Sequence, residues 1–307
     1  MAMIEDAADR AAIDAFGRVG TAMITPFTPE GAVDLPAVEA TVDHLVGLGN
    51  DMLVVSGTTG EASTTTDTEK TEILRAVVSA AAGRARIVAG VGTNHTAQSI
   101  SLAHSAQDAG AHGLLSVTPY YSRPTQDGVI AHTRALADAT DLPVMLYDIP
   151  GRSATALDTQ TILTLAEHPR ILAVKDAKGS LAASQEVLAS GTIAYYSGED
   201  ALNLPLLSIG AVGIVSVVGH VAADRFSTLV SLVASNDVAT ARRIAADLVP
   251  LVDAIMNRMP GVVAAKAALE LLGVIPSRTT RLPLLPADAQ QVDAVRLALR
   301  RSEYLTC

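Results

Sequence analysis

Eight short apolar, β-branched runs recur along the chain at intervals of roughly 20 to 35 residues, and this rhythm limits the folds open to it more than any other feature. They are VGTAMITPF (19–27), DMLVVSGTT (51–59), RIVAGVG (86–92), GLLSVTPYY (113–121), LPVMLYDIP (142–150), ILAVKDA (171–177), IAYYSGED (193–200) and GIVSVVGH (213–220). Amphipathic segments such as LPAVEATVDHLVGLG and DTEKTEILRAVVSAAAG separate them, with apolar positions three and four apart. In the second of these, Asp67 is the expected N-cap, with Lys70 one turn on. The runs are apolar on both faces, as strands of a covered parallel sheet must be. Eight such units predict an α/β fold, a closed TIM (β/α)8 barrel. A doubly wound open sheet would carry a glycine-rich dinucleotide turn after its first strand, and TPFTPEG is not one. The strand rhythm stops near residue 237. The expected organisation is an acidic N-terminal extension (1–16), a catalytic barrel (17–237) and a C-terminal all-helical domain (238–307), with a helix break at NRMPGV (257–262).

Several function classes fall away on composition. The formal charge is −10 with no Lys/Arg cluster, which excludes a nucleic-acid partner. The single cysteine, Cys307, allows no intrachain disulfide and no thiolate metal site, as suits a reducing cytosol. The first residues lack the apolar stretch of a signal peptide, and no apolar run reaches the roughly 18 residues of a membrane span. The expectation is a cytoplasmic protein with no membrane partner. The seven histidines show no metal-binding spacing, so no metal is expected.

Only four lysines occur, and one of them, Lys175, follows directly on the apolar run Ile171-Leu172-Ala173-Val174. Lys178, beside Gly179 and Ser180, reads as a solvated loop residue. Strand alternation puts Ile171, Ala173 and Lys175 on one face, and Leu172, Val174 and Asp176 on the other. A lysine inside an apolar barrel has its ammonium form disfavoured, and a neutral amine attacks carbonyl carbon. The competing reading pairs Lys175 with Asp176 or lets it reach the rim, and position alone does not choose between them. Five of the six tyrosines (Tyr120, Tyr121, Tyr147, Tyr195, Tyr196) fall in the fourth, fifth and seventh runs, which places their hydroxyls at the barrel mouth. SGTTGE (56–61) offers backbone and hydroxyl donors to a small carboxylate, or is simply a turn before a helix. Arg152 in YDIPGR (147–152) could clamp a second carboxylate or merely be solvated.

Taken together and in order, GTTGE (57–61), TPYYSRP (118–124), YDIPGR (147–152), VKDAKG (174–179), SGED (197–200) and GIVSV (213–217) resemble the dihydrodipicolinate synthase branch of the pyruvate-dependent class I aldolases. The likeness runs from about residue 17 to RLPL (281–284), in the actinobacterial form with Asp for the commoner Asn after the motif tyrosine. The resemblance implies a lyase of lysine and diaminopimelate biosynthesis that needs no cofactor beyond a covalent imine between Lys175 and pyruvate. Thr59 would hold the pyruvate carboxylate, and the backbone at Gly198 and Val215 would line the pocket. Tyr147, Thr58 and Tyr121 would relay protons, with Tyr121 donated across a dimer interface within a homotetramer. Arg152 would bind L-aspartate 4-semialdehyde, the product being 4-hydroxy-tetrahydrodipicolinate. Alternatives are an aldolase of the sialic acid lyase or ketodeoxygluconate type, whose polyhydroxylated acceptors need no charged clamp, and a non-catalytic pyruvate-binding paralogue. The positions matching the family's lysine-inhibition cleft are Ser63, Lys70, Asn94, Gln98 and Tyr120. Lys70 stands where histidine is common and Gln98 where a glutamate meets the effector's ammonium, so weak or absent lysine inhibition is expected.

Overall fold

The computed structural model describes residues 6–305. The eight runs form β1 (Val19–Ala22), β2 (Met52–Val55), β3 (Arg86–Gly90), β4 (Gly113–Val117), β5 (Val144–Asp148), β6 (Ile171–Asp176), β7 (Ala194–Ser197) and β8 (Gly213–Ser216). All pair in parallel in chain order, and β8 closes on β1. The strands stop earlier than the apolar runs do. Their last residues become the loops at the C-terminal rim, where a barrel of this kind places its chemistry.

Alternation along each strand divides the apolar side chains into two clusters. The larger lies between the barrel's outer face and the helices, and it continues into the C-terminal helices Val238–Val252, Gly261–Leu271 and Ala289–Arg301. The smaller fills the lumen with Ala22, Met52, Val54, Val88, Leu115, Met145, Ala173, Ala194 and Val215, together with Tyr147 and Tyr196. Helix Ala7–Phe16, capped by Asp6 at the Asp9 amide, contributes Ala12 and Phe16 to the same inner cluster. The segment before β1 is thus part of the barrel's packing. The anticipated helix break follows Asn257, and the next helix starts at Gly261. Among the described residues no single helix is long and apolar enough to cross a membrane.

The fold corrects several sequence expectations. Ile171 belongs to the outer cluster rather than to the face of Ala173 and Lys175. The cause is a register shift: Val144 pairs with Ile171 but Met145 with Ala173, so Leu172 is an extra residue that interrupts the alternation. Thr66, not Asp67, caps the third helical segment, in a reciprocal capping box with Glu69. Finally, only some of the tyrosines reach the mouth. Tyr196 points into the lumen but downwards, donating to the Gly17 carbonyl at 2.8 Å. A Cβ on Gly213 would lie 2.7 Å from the Tyr196 ring and 2.3 Å from the Arg18 carbonyl oxygen, so only glycine fits beside it. Tyr195 faces outward and donates to Asp176 at 2.8 Å.

Six of the seven histidine side chains have a hydrogen-bond partner: His44, His104, His112, His132, His168 and His220. His220 is fully buried and fastens β8 to the loop after β1: its Nδ1–H donates to the Val217 carbonyl at 2.7 Å, leaving Nε2 to accept from the Ile24 amide at 3.0 Å. Burial, the dominant cause, pulls this imidazole down to about 4. A folded value below the unfolded one means that the unfolded chain binds the proton first on acidification. Stability from His220 is therefore full near neutrality and declines as pH falls from about 6.5 towards 4. Urea denaturation should show a loss of about 2 kcal/mol from this residue between pH 7 and pH 5. His220→Gln, which keeps an acceptor for Ile24, should flatten that slope; an unchanged slope would reject the assignment.

Candidate active site

Lys175 is 4% exposed and points into the lumen from the C-terminal end of β6. Its neighbour across the β5–β6 ladder is Tyr147, and the Lys175 Nζ sits 4.1 Å from the centre of that ring. Small residues make the space. Ala173 precedes it on the same face, and a Cβ on Gly198 would fall 2.9 Å from the lysine Cγ and 3.0 Å from its Cε. Val215 closes the inner wall from β8. Asp176 does not pair with it. That carboxylate points outward and accepts from Ser184 Oγ (2.6 Å), Tyr195 OH (2.8 Å) and the Lys178 amide (2.6 Å). Among the described residues no carboxylate lies within ion-pair distance of Lys175. Glu199, half-buried in the loop after β7, interacts electrostatically with it; burial and then Asp200 push the Glu199 carboxyl up, and Lys175 opposes them.

Above Tyr147 lies a cleft of about 690 Å³ lined in part by Gly57, Thr58, Tyr147, Ile149 and Arg152. Thr58 is exposed to it, whereas Thr59 is buried. The loop that presents both is tightly wound: Ser56 and Glu61 take left-handed conformations, with φ of 56° and 53°. Thr25 Oγ1 donates to the Gly60 carbonyl at 2.7 Å, fixing the loop against the end of β1. Arg152 projects from the short helix Pro150–Ser153, its side chain exposed.

The same cleft extends past Ser63, Lys70, Gln98 and Tyr120, whereas Asn94 does not line it. Lys70 Nζ donates to the Thr65 carbonyl at 2.5 Å and lies 3.6 Å from Asp67; Gln98 donates to the same carboxylate at 3.3 Å. Tyr120 and Tyr121 lie beyond β4, which ends at Val117, so the expectation that they end the strand is corrected. Tyr121 is 90% exposed and left-handed (φ 72°), and it does not line the cleft of its own chain.

Two buried ion pairs flank this site, and neither is visible in sequence spacing. Glu61, the last residue of GTTGE, meets Lys266 Nζ at 2.5 Å, both side chains being wholly out of solvent. Lys266 also donates to the Thr279 carbonyl at 2.7 Å, and the other Glu61 oxygen accepts from the Arg281 amide at 2.9 Å. The Phe27 ring lies 4.2 Å from the Lys266 ammonium and 4.4 Å from the Arg281 guanidinium. Burial pulls Lys266 down to about 8, against the attraction of Glu61. The second pair is Asp148 with Lys178, 3.0 Å apart. Lys178 is therefore not a solvated loop lysine: the buried carboxylate of Asp148 draws it in. Glu199 was likewise not singled out from sequence, since nothing in SGED marks which acid approaches the lumen.

A parallel barrel holding a buried lysine under a tyrosine ring, with hydroxyl donors and an arginine around the mouth, is the arrangement expected of an aldolase-type enzyme. The chain belongs to the dihydrodipicolinate synthetase family, whose model matches residues 15–302. It is 55% identical over 280 residues to the 4-hydroxy-tetrahydrodipicolinate synthase of Kineococcus radiotolerans, covering 91% of each chain. Among solved structures, DHDPS from Cyanidioschyzon merolae with lysine bound superposes with a TM-score of 0.92 at 40% identity, over 95% of this chain and 99% of that one. The chloride-inhibited dihydrodipicolinate synthase of Acinetobacter baumannii complexed with pyruvate gives 0.89 at 34% identity, over 94% and 99%.

The Glu61–Lys266 pair ties the threonine loop to the C-terminal helices. Lys266→Met leaves the buried Glu61 without its ion-pair partner and should cost roughly 3–5 kcal/mol of stability in urea denaturation. Glu61→Gln combined with Lys266→Met should recover much of that loss; a double variant as weak as the single one would show that the charge is not the cause.

Proposed function

We propose that this chain is a 4-hydroxy-tetrahydrodipicolinate synthase, condensing pyruvate with L-aspartate 4-semialdehyde. The observation that supports it best is the buried Lys175 beneath Tyr147, without an ion-pair partner among the described residues, in a family whose relatives bear that name. Lys175 Nζ attacks the pyruvate ketone, and loss of water leaves a protonated imine. The imine is an electron sink, so a methyl proton leaves and an enamine forms. The enamine carbon bonds to the aldehyde carbon, whose oxygen takes up a proton. The amine of the adduct then attacks the imine carbon and expels Lys175, closing the ring of 4-hydroxy-tetrahydrodipicolinate. No external cofactor takes part in these steps.

In this reading the Thr59 loop holds the pyruvate carboxylate, and the backbone at Gly198 and Val215 lines its pocket. Each proton transfer needs a relay near the reacting atoms. Tyr147 and Thr58 supply two hydroxyls of it, and Tyr121 of the partner subunit supplies the third. The near-complete exposure of Tyr121 in one chain suits donation across a dimer interface, within a dimer of dimers. Arg152, exposed at the mouth, takes the carboxylate of the semialdehyde. That clamp favours a charged acceptor over the polyhydroxylated ones of the sialic acid lyase type. The reaction is assigned to the cytoplasm.

Borohydride treatment with pyruvate, followed by intact-mass spectrometry, should add one reduced pyruvate per chain. The adduct should vanish without pyruvate and in Lys175→Ala; no adduct on the wild-type chain would overturn the enzymatic reading. The side cleft makes a separate prediction. Lys70 adds a cation there, and Gln98 and Lys70 both engage Asp67, so a cationic amino acid meets little free negative charge. Initial velocity should hardly respond to lysine, and inhibition at sub-millimolar lysine would contradict this.

A further inference from the structure

The outer side of the β5–β6 ladder poses an electrostatic problem directly behind the candidate site. Tyr147 pairs with Lys175 on the inner face; one residue on, Asp148 pairs with Asp176 on the outer face. Two buried carboxylates thus stand side by side on neighbouring strands. Asp176 has three donors of its own. Asp148 accepts one backbone hydrogen bond, from Leu157 at 3.1 Å. Its other oxygen receives no conventional hydrogen bond, but the Lys178 ammonium stands 3.0 Å away. The Lys178 and Asp148 side chains are 14% and 1% exposed. Lys178 also donates to the Leu157 carbonyl at 2.9 Å. One cation thus joins the loop after Lys175 to both ends of the segment carrying Arg152.

We propose that Lys178 and Asp148 are positioning residues of the imine chemistry: by cancelling the repulsion between the Asp148 and Asp176 carboxylates, Lys178 keeps the ends of β5 and β6 together and Tyr147 seated over Lys175. The inference rests on the reaction proposed above. Neither residue touches substrate in this scheme. Repulsion between like charges in a site shielded from water is strong, and the backbone pairing that it would strain holds the inner-face residues one position earlier. The charged and titratable groups facing Asp148 are Lys178, Asp176 and the Tyr195 hydroxyl from β7. Burial raises the Asp148 carboxyl and Asp176 adds to this, while Lys178 opposes both. With the ammonium removed, Asp148 relieves the repulsion by taking up a proton, and it does so more readily as pH falls.

The test measures kcat and both KM values from pH 6 to pH 9, alongside borohydride trapping, for wild type, Lys178→Met, Asp148→Asn and the double variant. Lys178→Met should still trap pyruvate on Lys175 but lose about tenfold or more in kcat at pH 8. The loss should shrink towards pH 6, as Asp148 becomes neutral. In the Asp148→Asn background, adding Lys178→Met should cost little at any pH. That background keeps the test decisive if Lys178→Met alone does not fold. The proposal is overturned if Lys178→Met keeps wild-type kcat at pH 8, if its loss is the same at every pH, or if it costs as much in the Asp148→Asn background as in the wild-type chain. Failure of the wild-type chain to trap pyruvate would instead sink the underlying reaction.

Discussion

One extra residue in β6 sets the geometry on which the site depends. Because Leu172 has no partner in the β5–β6 ladder, the chain changes phase between Ile171 and Ala173. Ile171 remains in the outer core while Ala173 and Lys175 turn into the lumen, and Lys175 comes opposite Tyr147. Since side chains alternate with period two, the same shift sends Val174 and Asp176 outward. The inward lysine and the outward aspartate are two results of a single register. The first sets the amine under an aromatic ring, and the second creates the charge that Lys178 answers.

The lumen is graded in size. At its floor, Phe16 from the first helix and the downward-pointing Tyr196 occupy the volume, and Gly213 makes room for the latter. Towards the mouth the neighbours of Lys175 are small, and Gly198 stands against its methylene chain. A closed floor and an open top leave a reagent one direction of approach. Outside the lumen, two buried carboxylates each meet a lysine, which offsets part of their desolvation. Glu61 answers Lys266, and Asp148 answers Lys178. Each pair joins a loop of the site to a distant stretch of chain, so the mouth is braced from outside the lumen.

Much of this is legible in the sequence. The strand positions followed from runs that are apolar on both faces, because a parallel strand between lumen and helices has no wet side. Lys175 stood out for a similar reason, as a charge following four apolar residues. What misled was local reading of residues whose partners are remote. Tyr195 and Tyr196 looked like mouth residues by their place in the seventh run, yet one bonds outward to Asp176 and the other reaches down to Gly17. Lys178 looked solvated beside a glycine because Asp148, a whole strand earlier in the chain, was not in view. Asp67 and Thr66 are both able to cap, and the choice fell to Thr66 through its reciprocal bond with Glu69.

By itself, the sequence determined the class of fold, the order of its strands, and the identities of the groups available for chemistry. These depend on apolar periodicity and on residue type, which are properties of short stretches. Only the tertiary structure decided which face each group occupies and what it meets. Barrel closure brings β8 to β1, the bulge at Leu172 sets the phase of β6, and the C-terminal helices bring Lys266 to Glu61 across the chain. Such pairings arise because burying a charge is costly unless a partner meets it, and that partner is chosen by packing in space rather than by spacing along the chain.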